Sequence, residues 1–158
     1  MSEISFKELL RDSIDVCRMQ KPSVEFNLTV DQHVPFCNDA FRVSIIMDNL
    51  ISNAVKYSNP LSESPKVNVF IKVDEYKAQI EIEDNGIGIV EDHLNNIFNM
   101  FFRSTTHVNG LGIGLYIVKE ALSRIGGDIS VASTYGTGTI FHIMIPNVAK
   151  HNDTPSLN

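Results

Sequence analysis

The chain has 158 residues, of which 43% are hydrophobic and 20% are charged, which fits one globular domain with its own hydrophobic core. Its formal net charge of −6 argues against a general affinity for nucleic acids or anionic membranes, which favour clustered lysines and arginines. Its two cysteines, Cys17 and Cys37, are too few for a zinc site, and no stretch approaches the roughly 18 apolar residues of a membrane span.

The first third of the sequence predicts a helix, a strand and a second helix. Apolar residues at three- and four-residue spacing predict an amphipathic helix over about 5–20, which a Lys-Pro pair ends. Residues 24–30 then alternate between apolar and polar, which is typical of a half-buried strand. Asn38 or Asp39 can cap the next helix, which is predicted to run to about Tyr57.

The remainder of the sequence predicts a sheet with helices between its strands. The predicted elements are, in chain order, a hairpin of strands at 67–73 and 80–82, a short helix near 91–98, a longer helix from about 112 to 125, and strands at 128–134 and 138–145. We therefore expect an α+β fold, a two-layer sandwich with a mixed, mostly antiparallel sheet and its helices on one face. The domain is predicted to span residues 1–147, with a flexible tail over 148–158.

The second predicted helix has a polar stripe. Asn49, Asn53 and Lys56 are spaced by four and three residues, so they lie on one side of the helix, beside an apolar stripe that faces the sheet. A carboxamide oxygen is a hard neutral ligand that suits Mg²⁺. The alternative is that both asparagines are merely solvated or hydrogen-bonded locally.

Asp84 begins the motif DNGIGI, directly after a predicted strand. A carboxylate at that position can accept a hydrogen bond from the exocyclic amino group of adenine, while Gly86 and Gly88 allow positive φ and a close approach of backbone to the base. The alternative is an ordinary Asp-Asn-Gly turn.

A second glycine-rich loop leads directly into a predicted helix, whose first-turn N–H groups point toward any bound anion. Its residues include Gly110, Leu111, Gly112 and Gly114, and we expect phosphates beside it. The spacing alone is also compatible with a dinucleotide fingerprint, but that site needs a preceding strand, and here a loop and a helix precede it.

Five motifs in order resemble a known family as a set. DNLISNAVKYS (48–58), DNGIGI (84–89), IFNMFFR (97–103), GLGIGL (110–115) and GTGT (136–139) resemble the N, G1, F, G2 and G3 boxes of the catalytic ATP-binding domain of sensor histidine kinases. That domain lies within the gyrase, heat-shock chaperone, histidine kinase and mismatch-repair superfamily. The resemblance implies a Bergerat-type ATP-binding fold with ATP and Mg²⁺ as cofactors.

The resemblance also implies roles for individual residues. Asn49 would coordinate Mg²⁺, Asn53 and Lys56 would contact the phosphates, and Arg103 would follow the F box at the start of a short lid. Asn49, Lys56 and Arg103 are therefore the catalytic candidates. The other nucleotide-binding residues that the resemblance implies are Asn53, Tyr57, Asp84, Gly86, Gly88, Gly110, Leu111, Gly112, Gly114, Thr137 and Thr139.

Position 49 separates two branches of the superfamily. The resemblance implies that ATP-hydrolysing members carry a glutamate there, whereas this chain has Asn49, and an amide cannot act as a general base. Asp48 is adjacent but lies about 100° around the helix, so we expect it to point away from the γ-phosphate. This favours phosphoryl transfer to another side chain over hydrolysis.

The phosphoryl acceptor of a histidine kinase lies on a helical dimerisation domain, and its motif does not occur in this chain. The implied partners are such a domain, normally N-terminal in the same protein, and a response regulator, without nucleic acid or membrane contact by this domain. The isolated domain is expected to be monomeric and cytoplasmic, alone or as the cytoplasmic part of a membrane-anchored receptor, without autophosphorylation. The alternatives are a nucleotide-sensing regulatory module without phosphotransfer and a hydrolysing ATPase of the superfamily.

Two further features concern the segment around the F box. His107 falls within the presumed lid, where it could approach the phosphates, whereas His93 is assigned to the first turn of the short predicted helix.

The cluster of Phe98, Met100, Phe101 and Phe102 is more apolar than a loop edge requires. We expect part of it to be exposed as a docking surface for the dimerisation domain.

Overall fold

The computed structural model describes residues 1–105 and 112–149. The helices are α1 (Phe6–Gln20), α2 (Ala40–Lys56) and α3 (Gly114–Arg124), and a short 3₁₀ turn spans Glu91–His93. The strands are β1 (Ser2–Glu3), β2 (Glu25–Gln32), β3 (Cys37–Asn38), β4 (Lys66–Val73), β5 (Lys77–Asp84), β6 (Asp128–Thr134) and β7 (Gly138–Pro146). Within the two described ranges, no helix combines the length and the apolar character needed to cross a membrane.

The main sheet has five strands in the order β2-β4-β5-β7-β6. β2 and β4 are parallel and are connected through α2, as a parallel pair requires, while the other neighbours are antiparallel. Alternate residues of β4 and β5 are buried, among them Ile71 and Ile80, and they pack with the apolar stripe of α2. The expected α+β two-layer sandwich with a mixed, mostly antiparallel sheet is therefore confirmed.

The prediction of a helix near 91–98 was wrong. The chain makes one 3₁₀ turn over Glu91–His93 and continues through further turns. Isolated helices of this length are marginal, and here tertiary packing decides: Ile97 is buried in the core, and Phe98 packs on Phe141 at 6.4 Å between ring centroids.

The two ends of the described fold meet on one segment that sequence patterning did not predict. β1 pairs with β3, and the N–H of Val148 donates to Cys37 O at 2.9 Å. Strands of two residues are too short to show alternation. Val148, assigned to the predicted tail, is therefore bonded to the domain, and residues 150–158 of that tail lie outside the described residues.

Candidate functional site

A cavity of about 740 Å³ opens between α2, the end of β5, the segment after it and α3. Much of its wall is apolar, including Ile89, Phe102, Leu115 and Phe141, and a few polar side chains converge on it, as in small-molecule sites. The predicted site residues in this wall are Asn53, Lys56, Tyr57, Asp84, Gly88, Arg103 and Thr139.

The other predicted site residues lie elsewhere. Those outside the described wall are Asn49, Gly86, Gly112, Gly114 and Thr137. Gly110 and Leu111, together with His107, lie outside the described residues.

The orientation of helix α2, and therefore of its polar stripe with Asn49, Asn53 and Lys56, is set by its N-cap and by its buried face. The Asp39 carboxylate caps it by accepting a hydrogen bond from the Arg42 N–H at 3.0 Å, and its apolar residues face the core. The Asn49 side chain donates through Nδ2 to Ile45 O at 2.8 Å. Its Oδ1 is directed toward the start of α3, since it would lie 3.1 Å from a Cβ placed on Gly114.

Asp48 faces the opposite direction. Its carboxylate accepts hydrogen bonds from the hydroxyls of Ser13 on α1 and of Ser44, the latter at 3.2 Å. The Asp48 side chain is therefore directed toward α1, whereas Asn49 Oδ1 is directed toward α3. The expectation that Asp48 points away from the γ-phosphate of a bound nucleotide stays a prediction.

Asp84 ends β5 and lies opposite Thr139 of β7. Burial raises the pKa of Asp84 to about 6 from its ordinary 3.8, while the N–H groups of Gly86 and Thr139, which donate to the carboxylate, lower it. The nearby charge of Glu83 adds a small upward contribution. The cavity thus contains a largely desolvated carboxyl group, which in its ionised form accepts hydrogen bonds.

Gly86 and Gly88 are required by packing of the protein itself. A Cβ on Gly86 would collide with Tyr57 O at the end of α2, and one on Gly88 would collide with Thr134 O. Gly88 has φ +71, as expected, whereas Gly86 does not have positive φ, so that part of the expectation was wrong. Because Ile87 N–H also donates to Tyr57 O at 3.0 Å, the turn after β5 is joined tightly to the end of α2.

The start of α3 differs from the starts of the other two helices. Ser5 and Asp39 cap α1 and α2 with side-chain oxygens, whereas the residue before α3 is Ile113, which has no polar group to offer. The first-turn N–H groups of α3 therefore receive no cap from Ile113, and they suit an anion.

The geometry fits a nucleotide, and the comparisons agree with it. A profile described as "Histidine kinase-, DNA gyrase B-, and HSP90-like ATPase" matches residues 38–149, more than half of the chain. The chain belongs to this family of ATPases. Within the family it is an ATP-binding catalytic domain of the sensor histidine kinase type, since its relatives are sensor kinases and its structural neighbours are catalytic domains of histidine kinases.

The aerobic respiration control sensor protein ArcB of Escherichia coli K12 is 34% identical over 162 residues, which cover 95% of this chain and 20% of ArcB. The sensor histidine kinase WalK of Bacillus subtilis is 30% identical over 90% of this chain and 26% of WalK. The chain therefore spans about a fifth to a quarter of these relatives' length.

Among solved structures, the mycobacterial sensor histidine kinase MprB superposes with a TM-score of 0.78 at 28% identity, covering 92% of this chain and 98% of MprB. Full-length ShkA, solved in complex with AMPPNP, superposes with a TM-score of 0.77 at 25% identity, covering 95% of this chain and 32% of ShkA.

The two threonines of the GTGT motif in this ATPase domain differ in which cavities they line. Thr139 is buried, lines the main cavity, and its Oγ1 lies 2.8 Å from Ser133 Oγ. A second, shallower recess of about 290 Å³ is lined by both Thr137 and Thr139, together with Lys66 and Asn68. Thr137 does not line the main cavity.

Sequence reasoning missed several polar side chains in the cavity wall of this domain, among them Lys21 and His93. Lys21, just after α1, donates from Nζ to the buried Ser58 Oγ. His93 lies 2.8 Å from Ser104 Oγ through Nδ1. Neither belongs to a motif or to a periodic stripe. Lys21 follows α1 in the sequence, and only the fold brings it beside Ser58 at the end of α2, the helix that bears Lys56.

Proposed function

We propose that this domain binds Mg-ATP in the 740 Å³ cavity and presents the γ-phosphoryl group to a histidine on a separate dimerisation domain. The observation that carries the proposal is the polarity of the cavity along α2. Asp84 lies at one end, named here the base end, where the turn after β5 meets Tyr57. Asn49 and the start of α3 lie outside the described cavity wall, past Asn53 and about 12 Å from Tyr57 along the helix at 1.5 Å per residue, and this region is named the phosphate end.

At the base end, the Asp84 carboxylate would accept a hydrogen bond from the exocyclic amino group of adenine. Guanine carries a carbonyl oxygen at that position, so two acceptors would face each other. The apolar residues of the wall, including Ile89 and Phe141, would cover the ring faces. This arrangement supports selection of ATP over GTP.

At the phosphate end, the chain would hold the triphosphate with Asn53, Lys56, Arg103 and the first N–H groups of α3, with Tyr57 beside the nucleotide. Donors held in place before the reaction would stabilise developing charge without rearranging. The glycines of the second loop, Gly112 and Gly114 among them, would allow the phosphates to approach the backbone.

The donor set fits Mg²⁺ held mainly by phosphate oxygens and water. Within the described residues there is no group of three or more His, Cys, Asp or Glu side chains that could enclose a metal, and Asn49 offers one neutral oxygen. When bound, Mg²⁺ would neutralise charge on the phosphate oxygens. Asn49 would hold it.

The absence of a general base at Asn49, together with the engagement of Asp48 by Ser13 and Ser44, supports transfer over hydrolysis. The acceptor would be the dimerisation domain of a longer sensor kinase, and the phosphoryl group would pass on to a response regulator. The domain by itself would be a cytoplasmic monomer that binds ATP and hydrolyses it slowly.

The test is a titration of the chain with a non-hydrolysable ATP analogue, with and without Mg²⁺. Asp84→Asn should weaken binding by roughly tenfold to a hundredfold, because it turns a charged acceptor into an amide. Asn49→Asp tests the metal ligand by changing the dependence on Mg²⁺. Glu81→Gln is the matched control, since Glu81 lies on the exposed face of β5 beside His142.

Unchanged affinity in Asp84→Asn, or no binding by the folded natural chain, would overturn the proposal. If binding is as expected, transfer to a supplied histidine-bearing domain is the next measurement.

A further inference from the structure

His93 contacts the residues on both sides of Arg103. Its ring lies edge-on to the Phe102 ring, with the centroids 5.4 Å apart and an interplanar angle of 79°. Its Nδ1 lies 2.8 Å from Ser104 Oγ. One side chain from the 3₁₀ turn therefore holds the residue before Arg103 and the residue after it.

The same short segment is held from the opposite side by Gly112. The Phe101 N–H donates to Gly112 O at 2.9 Å, and a Cβ on Gly112 would lie 2.6 Å from Phe102 O and 3.0 Å from Arg103 Cγ. Phe101 itself has φ +65, a conformation that a bulky residue adopts only when its surroundings impose it. The backbone of Arg103 is thus held between His93 and the start of α3.

We propose that His93 is a positioning residue for Arg103, through its paired contacts with Phe102 and Ser104. The inference rests on the proposed function, in which Arg103 helps hold the terminal phosphate. Arginine loses considerable side-chain entropy when it is ordered, and a displacement of about 1 Å can remove much of what a charged contact contributes. A fixed backbone on both sides of Arg103 limits the displacement of its guanidinium group.

This role differs from direct contact with the nucleotide. His93 lines the cavity, so a ring that touched the base or ribose would affect ATP and ADP equally. A ring that acts through Arg103 affects the γ-phosphate alone. The ratio of the dissociation constants for ADP and for a non-hydrolysable ATP analogue therefore separates the two roles.

The experiment measures that ratio for the full chain and for five variants, with unfolding temperature recorded for each. Arg103→Ala should lower the preference for the ATP analogue. His93→Phe keeps a ring against Phe102 but lacks Nδ1, and Ser104→Ala removes the other partner of the hydrogen bond. Each should lower the preference by about threefold to tenfold, the range of one hydrogen bond.

The deciding variant is the double substitution His93→Phe with Arg103→Ala. It should match Arg103→Ala alone, because a positioning residue has nothing left to position. His142→Phe is the matched control, since His142 lies exposed on the opposite sheet face beside Glu81, and its ratio should equal that of the natural chain.

Three results would overturn the inference. They are an equal loss of ADP and ATP-analogue binding in His93→Phe, a further loss of preference in the double variant, and an unchanged preference in both His93→Phe and Ser104→Ala. If His93→Phe does not fold, Ser104→Ala in the natural and Arg103→Ala backgrounds makes the same comparison. Failure of the proposed function is distinguishable, because the natural chain would then bind neither nucleotide.

Discussion

The base end of the cavity is assembled by paired strands and close backbone packing, whereas the phosphate end combines residues of two helices with Arg103, which lies in an irregular segment. Asp84 and Thr139 are register partners in adjacent strands, and Gly88 has no room for a Cβ. Arg103 instead depends on His93 and Gly112, which hold a segment without regular structure. Changes at the base end should therefore alter folding and binding together, and changes at the phosphate end should alter binding with little effect on folding.

The largest expected effect is on folding at the base end. Gly88→Ala adds a Cβ that collides with Thr134 O at a residue with φ +71, so both strain and overlap oppose it. We expect the free energy of unfolding to fall by about 3–4 kcal/mol. Chemical denaturation monitored by circular dichroism measures this.

Gly136→Ala is the matched control for that substitution. Gly136 also has positive φ, at +86, but nothing lies within 4 Å of the added Cβ. Only the strain of positive φ remains, and the free energy of unfolding is expected to fall by about 1–2 kcal/mol. Equal losses in the two variants would mean that close packing does not govern the base end.

The next effect concerns Asp84→Asn, which should weaken nucleotide binding but raise the stability of the ligand-free protein at pH 7. Its pKa of about 6 in the folded protein lies above the ordinary 3.8, so between these values the folded state keeps a proton that the unfolded state has lost. Stability therefore falls as pH rises from about 4 to 6 and stays lower above that range, by up to about 3 kcal/mol. Asn cannot ionise, so Asp84→Asn should be the more stable protein at pH 7 and should lose this advantage at pH 4.

Denaturation of the ligand-free proteins at several pH values measures the difference, with Glu81→Gln as the exposed control. A variant Asp84→Asn that is less stable than the natural chain at pH 7 would contradict burial as the cause of the shift. Nucleotide affinity of the natural chain should also weaken below about pH 6, as the acceptor becomes protonated.

The contrast between the two ends also explains how much could be predicted from the sequence. β4 and β5 are each buried on one face, so their period of two was visible in the sequence, and the predicted ends lie within one residue for β4 and within three for β5. The polar stripe of α2 was also visible, because Asn49, Asn53 and Lys56 recur at the helical spacing of four and three residues. These features depend on local periodicity, which the order of residues contains directly.

The remainder depends on contacts between distant segments. Gly86 was predicted to make room for a base, but the atom it makes room for is Tyr57 O. His93 was assigned to a helix over 91–98 that forms only as a 3₁₀ turn over Glu91–His93, and its partner Ser104 becomes visible only once the irregular segment has been placed. Such contacts follow from tertiary packing, and no periodic pattern records them.

The smallest expected effect tests whether the phosphate end stores backbone strain at Phe101. Glycine is ordinarily less stable than alanine by about 0.5–1 kcal/mol, because it loses more conformational freedom on folding. At Phe101, with φ +65 and a ring that is 66% exposed, that order should reverse, and Phe101→Gly should be more stable than Phe101→Ala by about 1 kcal/mol. The neighbouring Met100, 47% exposed and without positive φ, is the control, where alanine should remain the more stable substitution. If alanine is also favoured at position 101, the conformation of Phe101 is relaxed without strain, and the segment before Arg103 needs no external support to hold its shape.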